Sequence, residues 1–274
     1  MFFSKRVGGI GAIGVLLCLF FLIVSLIGWQ VFYEKVILIL LAIIIGMLTV
    51  MLLGTYYWSR VQMQEMQNSY RQIESLFSLF STLKIRNPLP PMRVWAISPD
   101  FANVAIALIR ERKPGLVVEV GGGISTLITG YCLQELGKGS VVSLEHNKDF
   151  LEKTLANVRE HQLQDIATPV YAPLKEVVIQ NKSWLWYDTE SVRNLGPIDM
   201  LIVDGPPAKT QPLARYPALP LLFDQLSDNA VILLDDAFRA DEREIVKLWQ
   251  REFVGFVREE VGAEKGAVIL RRQK

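Results

Sequence analysis

Two long apolar segments dominate the N-terminal part of the 274-residue chain. Residues 8–29 and residues 36–58 each contain no charged side chain, and a short connection, residues 30–35, separates them. A transmembrane helix needs about 20 consecutive apolar residues, and each segment meets that length. Because the connection is too short to form a domain, the pattern predicts that residues 1–58 form a hairpin of two transmembrane helices.

Basic residues near these segments predict the orientation of the hairpin. Two precede the first segment, one lies in the connection and two follow the second segment: Lys5, Arg6, Lys35, Arg60 and Arg71. The excess of Lys and Arg marks the cytoplasmic side, so both ends of the hairpin and everything after residue 58 are expected there. A cleaved signal peptide is the alternative for the first segment, but no small-residue cleavage site follows it. We expect a multi-pass protein of the lipid bilayer with a cytoplasmic domain.

Residues 59–91 form a polar linker with an apolar stripe. The stripe residues recur at alternating spacings of four and three: Met66, Tyr70, Ile73, Phe77 and Phe80. Such spacing is typical of one face of an amphipathic helix. Two interpretations are open. Either the helix lies on the membrane or on its own domain, or residues 63–80 pair two copies of the chain into a homodimer through a short coiled coil.

The remainder, residues 92–274, alternates short apolar runs with amphipathic ones. Strands are predicted at 116–120, 140–145, 198–204 and 230–236, with a weaker strand near 167–172 and helices between them. This alternation predicts an α/β fold, in which a mostly parallel sheet carries helices on both faces. Too few residues separate the last two apolar runs, 253–261 and 266–272, for a crossover helix, so these runs should pair antiparallel.

A glycine-rich turn follows the first of these strands, in the sequence VVEVGGGIST of residues 117–126. Glycine lets a backbone turn sharply or lets a ligand approach closely, which favours a ligand-binding loop. As a dinucleotide fingerprint the turn is incomplete, because Gly121 and Gly123 are followed by Thr126 where a third glycine belongs. The turn thus argues against a nicotinamide cofactor, and an NAD-dependent oxidoreductase remains the rival hypothesis.

An acidic residue, Glu145, ends the second strand. A carboxylate at this place can accept hydrogen bonds from both hydroxyls of a ribose, which suits a nucleoside without a 2′-phosphate. An isolated acid at a strand end is commonly just solvated, but this one follows a glycine-rich turn by one βαβ unit. We therefore predict that Glu145 binds the ribose of a cofactor.

Four motifs resemble the successive motifs of the class I S-adenosylmethionine (SAM)-dependent methyltransferases, most closely methyltransferase family 24: VVEVGGGIST, VVSLEHN, IDMLIVDGPP and AVILLDDAFRADEREIVKLW. The resemblance covers about residue 95 to the C-terminus. It implies a Rossmann-like sheet of seven strands in the order 3-2-1-4-5-7-6, with the last strand antiparallel, and SAM as cofactor. The residues that it assigns to the cofactor are Glu119, Gly121, Gly123, Ser125 and Glu145.

Three further acids end the fourth and fifth strands: Asp204, Asp235 and Asp236. Carboxylates on adjacent strand ends repel one another unless a cation lies between them. The arrangement resembles that of metal-dependent catechol-type O-methyltransferases, although Asp236 stands where those enzymes have an amide. One alternative is a divalent ion such as Mg²⁺ held by all three acids. The other is a site without metal, in which Arg215, Arg239 or a substrate amine neutralises them.

Methyl transfer to a hydroxyl requires that the acceptor proton be removed, and Asp204 and Asp235 are the predicted catalytic residues. Loops over the strand ends commonly select the substrate. Two of them, WLWYD (184–188) and ARYP (214–217), contain aromatic and charged residues that suit a hydroxylated acceptor, such as a glycan, a lipid head group or a small molecule. Packing of these aromatic residues on the domain is the alternative.

Composition narrows the function further. The net charge of +1 gives no reason to expect nucleic acid as a partner. The two cysteines, Cys18 and Cys132, provide neither a disulfide framework nor a cysteine metal cluster. We expect a membrane-anchored SAM-dependent methyltransferase that acts on oxygen. Besides the oxidoreductase, the alternative is a non-catalytic membrane scaffold that retains the methyltransferase fold.

Overall fold

The structure of the protein is a computed structural model that describes residues 6–193 and 195–273. The chain divides into two compact units, with the boundary between Met66 and Gln67. The first unit is helical, and the second contains an α/β domain. Lys5, one of the basic residues that orient the predicted hairpin, lies outside the described residues.

A single helix, α1, extends from Arg6 to Thr82. From Gly14 onwards it is long and apolar enough to be a candidate membrane anchor. Residues 30–35, where the sequence predicted a turn, are helical, so the structure does not support two separate spans. The reason is that apolar length indicates where a chain can cross a bilayer but not where it turns back, and residues 30–35 contain no Gly or Pro to end a helix.

The remaining helices and strands belong to the second unit. The helices are α2 (Pro99–Arg112), α3 (Ile124–Leu136), α4 (Lys148–Glu160), α5 (Ala218–Leu222) and α6 (Ala240–Glu252). The strands are β1 (Leu116–Val120), β2 (Ser140–Glu145), β3 (Ala167–Tyr171), β4 (Leu174–Ile179), β5 (Lys182–Tyr187), β6 (Ile198–Val203), β7 (Leu226–Asp235), β8 (Phe256–Val261) and β9 (Ala267–Arg272).

The main sheet has seven strands in the order β3-β2-β1-β6-β7-β9-β8. In the numbering of the sequence analysis, β6 and β7 are strands four and five, and β8 and β9 are strands six and seven. The predicted order 3-2-1-4-5-7-6 is therefore confirmed. β1 pairs parallel with both β2 and β6, whereas β9 pairs antiparallel with β7 and β8. This is the Rossmann-like methyltransferase sheet.

Both faces of the sheet are covered, as the apolar strands require. Successive residues of a strand point to opposite faces. Val117 accordingly belongs to one hydrophobic cluster, which contains Phe101 of α2, and Val118 belongs to the other, which contains Trp249 of α6. Every residue of β1 is buried. Continuous burial of this kind is typical of a central parallel strand.

The C-terminal part of α1 packs on the domain through a face that the apolar stripe does not include. Leu79 is fully buried in the first hydrophobic cluster, and Nε2 of Gln72 donates to Oδ2 of Asp100 at 2.8 Å. The stripe residues remain exposed, among them Ile73 and Phe77 at 50% and 72%. The part of α1 that belongs to the second unit, residues 67–82, therefore packs on its own domain, and pairing of two copies through residues 63–80 stays a prediction.

A β-hairpin replaces the irregular connection that the sequence analysis placed around WLWYD. Strands β4 and β5 pair antiparallel across a two-residue turn, Gln180 and Asn181. Both turn residues have positive φ, 50° and 63°, as a type I′ turn requires, and asparagine is favoured there. Trp184 and Trp186 are buried, so these aromatic residues pack on the domain. The hairpin was missed because its turn contains no glycine, which is the usual signal.

Candidate active site

The glycine-rich turn connects β1 to α3. Gly121 has φ +87°, and a Cβ atom there would lie 3.0 Å from the backbone nitrogen of Gly205. A Cβ atom on Gly122 would lie only 2.1 Å from Oγ of Ser143. No side chain fits at either position unless its neighbour moves. The two glycines thus allow the turn to lie against both neighbouring strand ends.

Thr126 ties this turn to the buried acid of β1. Its Oγ1 accepts from the backbone N–H of Gly123 at 3.2 Å and donates to Oε2 of Glu119. Glu119 is fully buried, and its Oε1 has no hydrogen-bond partner among the described residues. Burial raises the pKa of this carboxyl to about 7, although hydrogen bonds from the hydroxyls of Ser125, Thr126 and Ser143 lower it. Glu119 therefore supports the turn from within the domain.

A cavity of about 330 Å³ lies at the carboxyl ends of β1, β2 and β6. Ligands of open α/β sheets bind at this edge, and the volume is within the range of about 300–1,000 Å³ that is usual for ligand pockets. The cavity is lined by Trp95, Gly121, Gly122, Glu145, His146, Asn147, Phe150, Tyr187, Asp204, Gly205, Pro207 and Lys209.

The predicted cofactor residues divide into two groups. Gly121 and Glu145 line the cavity, whereas Glu119 and Ser125 are buried in the domain and Gly123 is half-buried at the start of α3. Of the predicted cofactor residues, the structure therefore brings one backbone turn and one carboxylate to the wall of the cavity.

Glu145 is held in one position by its neighbours. Its Oε1 accepts from the backbone N–H of Asn147 at 2.7 Å, and Nδ1 of His146 lies 3.1 Å from the same atom. The side chain of Asn147 in turn caps α4 by accepting from the N–H groups of Asp149 and Phe150. These contacts fix a carboxylate that is only 5% exposed at the wall of the cavity.

Three residues of the cavity wall lie outside the motifs of the sequence analysis: Trp95, Phe150 and Lys209. A fourth, Tyr187, belongs to the WLWYD segment that was predicted to select the substrate. Trp95 comes from the segment before α2, and Tyr187 ends the hairpin strand β5. Burial, together with the nearby Glu145 and Asp204, raises the pKa of the Tyr187 hydroxyl. No motif marks Trp95, Phe150 and Lys209, because they reach the site only when their segments fold onto the sheet.

The three predicted acids meet at one point. One carboxylate oxygen from each of Asp204, Asp235 and Asp236 lies within 4.8 Å of the other two. Asp204 follows β6 and lines the cavity, whereas Asp235 and Asp236 are buried, with 0% and 2% exposure. Such oxygen atoms are of the kind that Mg²⁺ and Ca²⁺ bind.

A buried arginine already lies among these acids. Arg215, 3% exposed, donates from one terminal nitrogen to Oδ2 of Asp236 at 2.6 Å and to Oδ1 of Asp204 at 3.2 Å. Its other terminal nitrogen donates to the backbone carbonyl of Asp235 at 2.8 Å. The ARYP segment, predicted as a substrate loop, thus supplies a counter-charge instead. These contacts match the metal-free alternative of the sequence analysis, and the donor set does not fit a divalent ion while the guanidinium lies there.

The charges of the cluster are strongly perturbed. Burial and the neighbouring Asp235 raise the pKa of Asp204 well above its usual range, and Arg215 opposes this shift. Burial and Asp236 raise the pKa of Asp235 to about 6. Burial lowers the pKa of Arg215, but the surrounding carboxylates raise it by more, so the guanidinium stays charged.

The fold is that of the class I SAM-dependent methyltransferases. A family model described as a methyltransferase domain matches residues 118–237 of this chain. The matched residues extend from β1 to just beyond the acid cluster. The comparison with curated proteins found no match.

Solved structures with a similar fold include three methyltransferases. The O-methyltransferase from Bacillus cereus, in complex with S-adenosylhomocysteine (SAH), is 17% identical, with a TM-score of 0.50 over 74% of this chain and 90% of that chain. An SAH-bound methyltransferase from Podospora anserina is 15% identical, with a TM-score of 0.51 over 74% and 88%. The O-methyltransferase TomG from Streptomyces achromogenes, in complex with SAM, is 14% identical, with a TM-score of 0.50 over 73% and 96%. At these identities the likeness establishes the fold.

Proposed function

We propose that the protein is a SAM-dependent methyltransferase that transfers a methyl group to an oxygen atom of a hydroxylated acceptor. The observation that carries this proposal is the cavity at the carboxyl ends of β1, β2 and β6, with the glycine turn, Glu145 and Asp204 in its wall. The similar structures from Bacillus cereus and Streptomyces achromogenes, both described as O-methyltransferases, support transfer to oxygen.

In this proposal the glycine turn and Glu145 would hold the cofactor. The backbone at Gly121 and Gly122 would admit close contact with its methionine part, and the fixed carboxylate of Glu145 would accept hydrogen bonds from its ribose hydroxyls. Glu119, Gly123 and Ser125 contribute indirectly, because they maintain the conformation of the turn that would contact the cofactor. An NAD-dependent oxidoreductase is the less favoured candidate, because Thr126 occupies the place of the third glycine and is bonded to Glu119.

The chemistry assigned to the site is an in-line displacement. A lone pair of the acceptor hydroxyl forms the new O–CH₃ bond, and the electrons of the S–CH₃ bond neutralise the sulfonium to give SAH. The acceptor proton goes to a carboxylate, and we assign this role to Asp204 because it lines the cavity. Asp235, the other predicted catalytic acid, has no exposure to the cavity and acts in this proposal only through Asp204.

The cofactor assignment is tested by calorimetry on the full-length protein in detergent. We expect SAH to bind with a 1:1 stoichiometry and NAD to give no heat of binding at the same concentrations. Tight binding of NAD without binding of SAH would favour the hypothesis that the protein is an NAD-dependent oxidoreductase. Bound SAH with no methyl transfer to any glycan, lipid or phenol acceptor, measured with methyl-labelled SAM, would favour the non-catalytic scaffold.

We also propose that α1 anchors the domain to the cytoplasmic face of a membrane. The helix is a candidate span, with a mean hydropathy of 3.2 in its most apolar window. The cytoplasmic side follows from the proposed cofactor, because SAM is available in that compartment. The acceptor class stays broad: a glycan, a lipid head group or a small hydroxylated molecule.

A further inference from the structure

We propose that Arg215 takes the place of a divalent ion at the acid cluster of Asp204, Asp235 and Asp236, so that the site works without a bound metal. The guanidinium is then a positioning group for Asp204, the acid of the cluster that lines the cavity. The role given to Asp204 rests on the proposed methyltransferase function, whereas the absence of a metal requirement rests on the contacts of Arg215 alone.

The first argument is the geometry of the guanidinium. Within hydrogen-bond distance it reaches one carboxylate oxygen of Asp204, one of Asp236 and the backbone oxygen of Asp235. Oxygen ligands lie about 2.0–2.1 Å from Mg²⁺ and about 2.3–2.6 Å from Ca²⁺. An ion bound to the same oxygens would therefore lie directly beside a positive charge, and this repulsion disfavours its binding.

The second argument is that Arg215 is fixed. The backbone before it is anchored where the N–H of Leu213 donates to Oδ2 of Asp241 at 2.9 Å, and after it where Nε1 of Trp249 donates to the carbonyl of Tyr216 at 2.9 Å. The side chain itself is 3% exposed. The guanidinium is thus buried and fixed within the cluster, whereas a guanidinium on the surface would be easily displaced by an ion.

The third argument is the positive charge around Asp236. Asp236 contacts three cations: Arg215, Arg239 at 2.8 Å from Oδ2, and Lys265 at 3.9 Å from Oδ1. Nε of Arg215 also lies 3.7 Å from a fourth acid, Glu242. The protein therefore supplies the positive charge that an external ion supplies at a metal-dependent site.

Binding of Mn²⁺ to the full-length protein in detergent tests the proposal, with free Mn²⁺ measured by electron paramagnetic resonance. The wild type and the Arg215→Lys variant keep the buried charge and should not bind Mn²⁺. Arg215→Met removes the positive charge from among the three acids, and this variant should bind Mn²⁺ at least about tenfold more tightly than the wild type does. The matched control is Arg239→Met, which removes a 45% exposed partner of Asp236 but leaves Arg215 in place, and it should not gain Mn²⁺ binding.

Two results would overturn the proposal. One is Mn²⁺ binding by the wild type that Asp204→Asn or Asp236→Asn abolishes. The other is a folded Arg215→Met variant with no gain in Mn²⁺ affinity. If Arg215→Met does not fold, the comparison of wild type with Asp204→Asn still decides. SAH binding is measured on the same samples to distinguish the two proposals. If the wild type binds neither Mn²⁺ nor SAH, the proposed function is contradicted, whereas the inference about Arg215 is not.

Discussion

At the scale of single residues, Thr126 supports the glycine-rich turn although it replaces the third glycine of a dinucleotide fingerprint. Its hydroxyl bonds to both the turn, at the N–H of Gly123, and the buried carboxyl of Glu119. A third glycine at this place would make neither contact. The turn is thus supported by a side-chain network, in which a buried acid with a pKa of about 7 is the most sensitive member.

The network predicts a pH-dependent stability. Because the pKa of Glu119 rises from 4.5 to about 7 on folding, its stabilising effect is fully present below pH 4.5 and is lost as the pH rises through about 7. The loss amounts to about 3 kcal/mol. Glu119→Gln keeps an acceptor for Thr126 but does not titrate, so its stability relative to wild type should increase across this pH window. Thermal unfolding of the two proteins without cofactor measures this difference, and parallel pH profiles would contradict it.

A second residue-scale prediction concerns the ribose contact. Removing the carboxylate in Glu145→Ala should weaken SAH binding by about 10- to 100-fold, since a hydrogen bond to a charged group contributes about 1.5–3 kcal/mol. Glu145→Gln removes the negative charge but keeps an oxygen that can accept from the N–H of Asn147. This variant therefore distinguishes the loss of the charge from the loss of that hydrogen bond. The control is Glu152→Ala on the exposed side of α4. Unchanged calorimetric affinity in Glu145→Ala would place the cofactor elsewhere.

At the scale of elements, two faces of the C-terminal part of α1 should respond differently to substitution. Leu79 is fully buried in the domain core, so Leu79→Ala should lower the free energy of unfolding by about 2–5 kcal/mol. Phe77 is 72% exposed, so Phe77→Ala should change it by less than about 0.5 kcal/mol. Thermal or denaturant unfolding of both variants checks the assignment of the faces, and equal losses would contradict it.

The exposed stripe leaves the homodimer prediction to a separate measurement. If Ile73 and Phe77 pair two copies of the chain, the full-length protein should be dimeric by light scattering in detergent. The double variant Ile73→Ser, Phe77→Ser should then be monomeric and equally stable. A monomeric wild type would leave contact with the membrane as the interpretation of the stripe.

At the scale of the whole molecule, the proposed anchoring predicts the side of the membrane on which the domain lies. A tag at the C-terminus should resist protease added to right-side-out vesicles and become sensitive after the vesicles are permeabilised. Digestion in intact vesicles would place the domain outside, away from SAM, and would contradict the orientation and the enzymatic proposal together. A tag at the N-terminus reports the number of spans, because it is protected only when the chain crosses the membrane twice.

The sequence by itself determined the sheet and the motifs at its edge. The strands, the antiparallel last pair, the glycine turn and the three acids were predictable, because they depend on local patterns: apolar runs, alternation with amphipathic segments and short connections. The family resemblance added the crossover order that periodicity alone does not provide. The same local patterns explain what failed. Hydropathy does not locate a turn within a long apolar helix, and Gln180 and Asn181 form a turn without glycine.

Only the tertiary structure decided what surrounds each predicted group. Trp95 and Tyr187 reach the cavity from distant segments, Leu79 rather than the apolar stripe is buried, and Arg215 lies against Asp204 and Asp236. The sequence left metal and arginine as alternatives, since three carboxylates at strand ends require a cation but do not specify which. The packed chain brings Arg215 within hydrogen-bond distance of Asp204 and Asp236, and no local pattern of the sequence specifies these contacts.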